Sequence, residues 1–166
     1  NTSTPGNISF DLPVHVLVDG DKVRQVAIAD LDLDGKNDIV VTNTDNKKVT
    51  ILKNKSTIDQ ILLERMPSYE ITDPNLGTER NTFGIALSDL NGDKFPEMVI
   101  NGFTQQNVFV VPNTSTPGTI RFGAVKELDA VGNLMNVAVG DIDHDGRPDI
   151  IATKLLQNTV SLFLNK

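Results

Sequence analysis

Short apolar runs alternate with polar turns along the whole chain, and the runs recur in a fixed order. Each of three segments holds an apolar run, an acidic loop, a second apolar run, a polar turn and a third apolar run. The acidic loops begin at Asp30, Asp89 and Asp141, so their spacing is 59 and then 52 residues. The runs are short and rich in Val, Ile, Phe and Thr, which favours β-strands over helices. The pattern therefore predicts an all-β chain built from three repeats.

A fourth strand is predicted for each repeat. In the second repeat the turn "NTSTPG" (residues 113–118) precedes it, and in the first we interpret residues 56–65, "STIDQILLER", as an outer strand rather than a helical turn or two. The third repeat ends at Lys166 without such a run, but "NTSTPG" also occupies residues 1–6, followed by a run of the same kind. Four-stranded antiparallel units at this spacing indicate propeller blades. We predict three blades in permuted order, the last one completed by the N-terminal strand.

The whole chain, residues 1–166, is assigned to this architecture. Residues 1–18 are the outer strand of the last blade, and residues 19–72, 73–128 and 129–166 are the blades. The first strand of each blade is apolar at nearly every residue, so we expect it to be buried on both faces. A β-sandwich with acidic turns is the alternative, and three equivalent loops in fixed order disfavour it.

Three blades are fewer than the roughly four to eight of closed propellers. We therefore expect the chain to be part of a larger ring or oligomeric assembly. One form is a homo-oligomer whose copies exchange strands between their ends. The other is that the chain is a fragment of a longer propeller protein.

Oxygen-bearing side chains lie at positions 1, 3, 5 and 9 of all three loops, which read "DLDLDGKND", "DLNGDKFPE" and "DIDHDGRPD". Clustered carboxylates repel one another unless a cation neutralises them. Calcium takes about six to eight hard oxygen ligands in adaptable geometry, whereas magnesium keeps its waters and a rigid octahedron. The loops therefore predict up to three calcium sites; turns whose acidic groups are merely solvated are the alternative.

The predicted ligands are the side chains at positions 1, 3, 5 and 9 and the backbone carbonyl at position 7. They are Asp30, Asp32, Asp34, Asp38 and the Lys36 carbonyl in the first loop; Asp89, Asn91, Asp93, Glu97 and the Phe95 carbonyl in the second; and Asp141, Asp143, Asp145, Asp149 and the Arg147 carbonyl in the third.

The second loop departs from the pattern of the other two. Asn91 is neutral, Glu97 replaces an aspartate, and Lys94 stands where the other loops have Gly35 and Gly146. A non-glycine residue in the left-handed conformation costs about 1 kcal/mol, although Gly92 would allow the turn to shift by two residues. We therefore expect the second site to be the weakest.

Composition narrows the classes of partner. The chain carries 22 acidic and 15 basic residues, a net charge of -7, and no cysteine. This balance disfavours nucleic acid and anionic membranes as partners, and the lack of cysteine excludes disulfides and thiolate metal sites. No apolar run approaches the ~20 residues of a membrane-spanning helix.

The segments "VAIADLDLDGKNDIVV", "FGIALSDLNGDKFPEMVI" and "VAVGDIDHDGRPDIIA" resemble the FG-GAP (or VCBS) repeats of integrin α-subunit-like β-propellers. The resemblance covers nearly the whole chain. It implies calcium loops between the first and second strands of each blade that hold adjacent blades in place, with ligands meeting the opposite face. It also implies an extracellular setting, secreted or at the cell surface, of the kind that bacterial members have.

The main hypothesis is a non-enzymatic, calcium-stabilised binding, adhesion or scaffold module with a protein or carbohydrate ligand on the face opposite the calcium loops. We expect the connections between blades to lie on that face; they are residues 19–25, 72–80 and 129–135, with Tyr69 just before the middle one. Ordinary connecting loops are the alternative. The competing hypothesis is an accessory or catalytic propeller of a secreted polysaccharide-active enzyme. A glycosidase needs two carboxyl groups about 5–9 Å apart with one kept protonated, whereas the acidic groups here cluster at metal-ligand spacing.

Overall fold

A computed structural model of the chain describes residues 2–20, 22–44, 48–71, 82–102 and 106–166. These residues form twelve β-strands and no helix, so none of them belongs to a helix that could cross a membrane. The strands are β1 (Val23–Ala29), β2 (Asp38–Asn43), β3 (Lys48–Asn54), β4 (Leu63–Arg65), β5 (Tyr69–Glu70), β6 (Thr82–Ser88), β7 (Glu97–Gly102), β8 (Asn107–Val111), β9 (Lys126–Asp129), β10 (Leu134–Gly140), β11 (Asp149–Lys154) and β12 (Val160–Phe163). The predicted all-β class is confirmed.

The strands form three antiparallel sheets, one for each repeat of the sequence. The first has the order β1-β2-β3-β4, the second β6-β7-β8-β9 and the third β10-β11-β12. In the first sheet β5 also pairs with β3, so β4 and β5 share the place of the fourth strand. Residues 56–65 thus contribute a strand only at their end. The blade-like sheets do not close into a ring within the described residues.

The third sheet has one strand fewer than the second. β12 pairs with β11, and residues 8–18 form no strand. The predicted completion of the last blade by the N-terminal strand is therefore not made within one chain. The N-terminal segment is attached at its end to the first sheet, where Asn43 donates to the Asp19 carbonyl at 2.5 Å and Arg65 pairs with the Asp19 carboxylate at 2.7 Å.

The second sheet lies between the other two, and its side chains alternate between two buried clusters. Met98 and Ile100 pack in one cluster with residues of the first sheet, while Val99 packs in the other with residues of the third. Every residue of β7 is buried, as a strand covered on both faces requires. Each fully buried Val, Ile or Met contributes about 1.5–3 kcal/mol, so these clusters hold the three sheets together.

The first strands of the sheets lie side by side, with β6 in contact with both β1 and β10. No residue of β6 is exposed. The prediction that every first strand is buried on both faces is wrong for β1, where Val26 is 55% and Ile28 60% exposed, and for β10, where Met135 is 40% exposed. The difference arises because β6 has a neighbouring sheet on each side, whereas β1 and β10 each contact one on a single side.

Candidate metal centres

Each acidic loop joins the first and second strands of its sheet, as the resemblance implies. The last acidic residue of each loop opens the second strand and pairs with the last residue of the first. These pairs are Ala29 with Asp38, Ser88 with Glu97, and Gly140 with Asp149. Because the strand register is the same at all three places, the loops start from equivalent geometry.

The three loops also share a set of internal hydrogen bonds. In the first loop the carboxylate of Asp30 accepts from the N–H groups of Asp34 at 3.2 Å and Gly35 at 2.8 Å, and Asp34 accepts from Lys36 at 3.0 Å. The equivalent three bonds form in the second loop and in the third. These bonds turn the first and fifth side chains toward the loop interior. The predicted role of the carbonyls of Lys36, Phe95 and Arg147 as ligands stays a prediction.

The backbone is left-handed at positions 4 and 6 of every loop. The φ angles are 54° at Leu33, 86° at Gly35, 85° at Gly92, 78° at Lys94, 60° at His144 and 87° at Gly146. The second loop therefore keeps the common geometry, with no shift at Gly92, and Lys94 adopts the conformation that favours glycine. The left-handed residue at position 4 did not stand out in the sequence, because Leu33 and His144 are poor choices for it.

We expect Lys94→Gly to raise the free energy of unfolding by about 1 kcal/mol, because it removes the steric cost of a Cβ at positive φ. Urea unfolding in a chelator checks this. Lys55→Gly is the matched control, since Lys55 is also exposed but is not among the left-handed residues. It should be neutral or destabilising, and an equal gain from both changes would contradict the explanation.

Two of the loops bring three carboxylates together. Asp30, Asp32 and Asp38 have oxygen atoms within 4.8 Å of one another, and Asp141, Asp143 and Asp149 form the same trio in the third loop. The second loop has no such trio, although all of its residues are described. There the Asn91 side chain donates to Asp93 at 3.0 Å and to Glu97 at 3.1 Å. An amide donor thus stands where the other loops have a third carboxylate.

The first loop is the most buried. Asp32 and Asp38 are both 0% exposed, whereas Asp143 of the third loop is exposed. The Oδ1 atom of Asp32 is buried and has no hydrogen-bond partner. An unsatisfied buried carboxylate oxygen is costly, and a cation held with Asp30 and Asp38 would satisfy it. The donor set, all hard oxygens, suits calcium.

Lys53 places a positive charge at the first loop. Its ammonium group donates to Asp32 Oδ2 and to the Gly118 carbonyl at 2.5 Å, and lies 3.8 Å from Asp34. Burial lowers the pKa of Lys53, but the hydrogen bond to Asp32 and the charges of Asp34 and Asp38 raise it overall above its usual value. Lys53 therefore stays charged and shares Asp32 with any bound metal. Pro112 and Leu164 occupy the corresponding positions of the other repeats, so this feature belongs to the first site alone.

The residues at position 9 differ in their titration. Burial raises the pKa of Asp38 and of Glu97, whereas the backbone N–H groups of Asn165 and Ile142 lower the pKa of Asp149. Asp38 and Glu97 also accept backbone hydrogen bonds, but burial and the charges of neighbouring acidic residues outweigh them, whereas at Asp149 the hydrogen bonds outweigh burial. A bound cation would favour the charged form of each carboxylate.

Three asparagines support the loops, and the sequence interpretation missed them. Asn54, Asn113 and Asn165 each stand sixteen residues after the ninth loop residue and donate a backbone N–H to its carboxylate. The Asn113 amide also donates to the Leu31 carbonyl of the preceding loop at 2.9 Å, and Asn165 donates to Leu90 in the same way at 2.7 Å. Their constant spacing from the ninth loop residue is the sequence signal that could have identified them. Asn113 and Asn165 thus connect the second and third sheets to the loop of the sheet before each, whereas the Asn54 side chain donates to the Asn37 carbonyl of its own loop.

The predicted ligand face is described only in part. Residues 72–80, with Glu79 and Arg80, lie outside the described residues. In residues 19–25, Asp19 is tied down by Arg65, Ser68 and Asn43. Tyr69 donates its hydroxyl to the Gly123 carbonyl at 2.6 Å, so it has a structural contact between the first two sheets.

A family model described as FG-GAP-like repeat matches residues 30–100 and 89–152. The two matches overlap and together include all three acidic loops and most of the three sheets. A search of curated proteins finds no significant match. FG-GAP repeats are typically extracellular and associated with calcium. By its repeated loops, its sheets and this match over more than half of its length, the chain belongs to the FG-GAP-like repeat family.

Proposed function

We propose that the protein is a non-enzymatic, calcium-stabilised β-propeller module that acts outside the cell as a binding, adhesion or structural scaffold. Calcium would be held by the first and third loops and more weakly by the second. When bound, the ion supplies positive charge that neutralises clustered carboxylates and fixes the loop. It carries out no chemical step.

The buried carboxylate of Asp32 is the main support for this proposal. Asp32 is fully buried, its Oδ1 atom has no partner, and it lies in a trio with Asp30 and Asp38. A carboxylate in that position without a cation is poorly satisfied even with Lys53 beside it. Since the first loop also contacts the second sheet through Asn113, a cation there would stabilise the packing of two sheets as well as the loop.

The absence of catalysis is supported by how the acidic groups are placed. The carboxylates that converge lie within 4.8 Å of one another in the metal trios, whereas hydrolysis of a glycoside needs about 5–9 Å between an acid and a base or nucleophile. The proposed ligand, a protein or carbohydrate, would bind the face opposite the loops. Assembly of several copies through exchange of strands between their ends completes the proposal, because among the described residues β12 pairs only with β11 and an open strand edge is normally covered.

Titration calorimetry on chelator-stripped protein tests the calcium sites. We expect calcium to bind at two sites with higher affinity and at a third, weaker one, and magnesium to bind far more weakly. Asp143→Ala should remove one of the stronger sites, and Asn91→Ala should change only the weakest. Glu64→Gln, an exposed acidic residue outside the loops, is the control. No heat above dilution, or equal loss from all three changes, would contradict the proposal.

A separate assay tests the non-enzymatic part. Hydrolysis of polysaccharide and ester substrates is measured with calcium and with chelator. We expect no turnover in either condition. Calcium-dependent hydrolysis that Asp143→Ala or another loop variant abolishes would favour the enzyme hypothesis instead.

A further inference from the structure

The N-terminal hairpin has the same internal structure as a hairpin of the second sheet. Residues 2–10 correspond to residues 114–122, and both segments contain the sequence "TSTPG". In both, a serine hydroxyl accepts from a backbone N–H six residues later, at 2.8 Å in Ser3 and 2.9 Å in Ser115. Both turn glycines are left-handed, with φ of 81° and 79°. The remaining backbone bonds of the two hairpins also correspond.

The second-sheet hairpin packs against the first sheet. The Gly118 N–H donates to the Asp32 carbonyl at 3.0 Å. Ile120 is only 6% exposed and belongs to the buried cluster that contains Leu31 and Ile51. Phe122 packs edge-on against Tyr69 with ring centroids 5.8 Å apart. This hairpin therefore covers the first calcium loop and part of the core between two sheets.

The N-terminal hairpin leaves the equivalent apolar residues exposed. Ile8 occupies the position of Ile120 and is 84% exposed, and Phe10 occupies the position of Phe122 and is 74% exposed. Leu12 at 91% and Val14 at 73% continue the exposed series. Apolar side chains at alternate positions are the pattern of a strand with one buried face, and an exposed apolar stretch of this length indicates an interaction site.

A cavity of about 590 Å³ lies between the second and third sheets, where the corresponding hairpin would be expected. Leu90 and Val110 line it, and they are the counterparts of Leu31 and Ile51 in the first sheet. Leu128, Ile150 and Phe163 add further apolar wall. Asn165, also in the wall, makes the bond to Leu90 that Asn113 makes to Leu31. The cavity is thus built like the surface that the second-sheet hairpin covers.

The apolar residue at position 2 of each loop becomes more exposed from the first loop to the third. Leu31 is 0% exposed beneath the second-sheet hairpin, Leu90 beside the cavity is half-buried, and Ile142 in the third loop is 50% exposed. Beside the cavity, β12 also leaves Val160 60% and Leu162 46% exposed. Its counterpart β8 is covered at that edge by β9.

We propose that this cavity binds residues 2–10 of a second copy of the chain, and that the residues after them pair with the open edge of β12. We infer this occupant because the matching hairpin of the second sheet, residues 114–122, fills the equivalent position against the first sheet within the chain. This inference rests on the strand-exchange part of the proposed function and names its site. Two copies joined reciprocally would place six sheets in a ring, within the range of about four to eight for propellers.

The mass of the full chain in solution tests this contact between two copies. We expect the wild-type chain to have about twice the mass of an 18.1 kDa monomer, and Ile8→Asp/Phe10→Asp to have the monomer mass. Since both residues are exposed in the single chain, this variant should fold. Leu156→Asp is the control, because Leu156 is 88% exposed and lies in the turn between β11 and β12; it should keep the wild-type mass.

A mixing experiment distinguishes association through the hairpin and the cavity from association through any other interface. Leu164, 43% exposed, lines the cavity beyond the end of β12, so Leu164→Arg should block the cavity without breaking a sheet. Each variant alone should be monomeric. Mixed, they should form one pair, because the intact hairpin of the Leu164→Arg chain can bind the intact cavity of the other. A monomeric wild-type chain, a hairpin variant that still associates, or a mixture that stays monomeric would overturn the proposal.

The outcome is independent of the calcium proposal. Calorimetry on the monomeric Ile8→Asp/Phe10→Asp variant reports calcium binding without assembly, because the carboxylate trios of the first and third loops each lie within one chain. Masses measured in calcium and in chelator report assembly without assuming that the loops are occupied.

Discussion

Lys53→Met should lower the free energy of unfolding by about 3–5 kcal/mol in chelator, and calcium should restore most of the loss. Lys53 is 4% exposed and its partner Asp32 is 0% exposed. Removing one member of a buried ion pair leaves the other charge without compensation, which costs about 3–5 kcal/mol. A bound divalent cation would supply the missing charge, so the same variant should bind calcium more tightly at the first site than the wild type does.

Chemical unfolding with and without calcium measures both parts of this prediction. Lys55→Met is the matched control, since Lys55 is two residues away and exposed; it should change stability by no more than about 0.5 kcal/mol. Equal small losses from both lysine changes would contradict the account of the buried pair. A large loss from Lys53→Met that calcium does not restore would contradict the assignment of a metal beside Asp32.

Gly84→Ala should destabilise the protein by about 3 kcal/mol, at the upper end of the usual cost of overpacking. A Cβ atom on Gly84 would lie 2.4 Å from the side-chain oxygen of Asn101 and 3.0 Å from the Cα of Asn136. Asn101 accepts from the Gly84 N–H and donates to the Leu134 carbonyl of the third sheet. The added methyl group would therefore displace the side chain that joins the second and third sheets.

Thermal or urea unfolding of Gly84→Ala and Gly140→Ala tests the close approach of these sheets. Gly140 ends β10, is not left-handed, and would have nothing within 4 Å of an added Cβ. Its replacement should be neutral or slightly stabilising, because alanine restricts the unfolded chain. If both changes cost the same, the contact among Gly84, Asn101 and Asn136 does not control the packing.

The strands and the acidic loops could be predicted because they depend on local patterns. The alternation of Met98, Val99 and Ile100 between two clusters follows from the period of a strand, and oxygen-bearing residues at fixed loop positions follow from what calcium requires. The positive φ of Lys94 could be predicted from the glycines in the equivalent positions.

What could not be predicted depends on contacts between repeats. Lys53 is an ordinary lysine in the sequence, and only the packing of Gly118 over the first loop shows that it is buried beside Asp32. The exposure of β1 depends on having a neighbouring sheet on one side only, which the composition of the strand does not reveal. The relation of the N-terminal strand to the third repeat stays a prediction, because the sequence does not distinguish pairing within one chain from pairing between copies and residues 8–18 form no strand in the single chain.

Melting curves of the wild-type chain, stripped by chelator and then supplied with calcium, test the central claim most directly. A ligand at a hundredfold excess over its Kd stabilises the folded state by about 2.7 kcal/mol for each site. For a chain of this size that corresponds to a rise in Tm of about 5–10 °C per strong site, and magnesium at the same concentration should give much less. Superimposable curves with and without calcium would contradict a calcium-stabilised module.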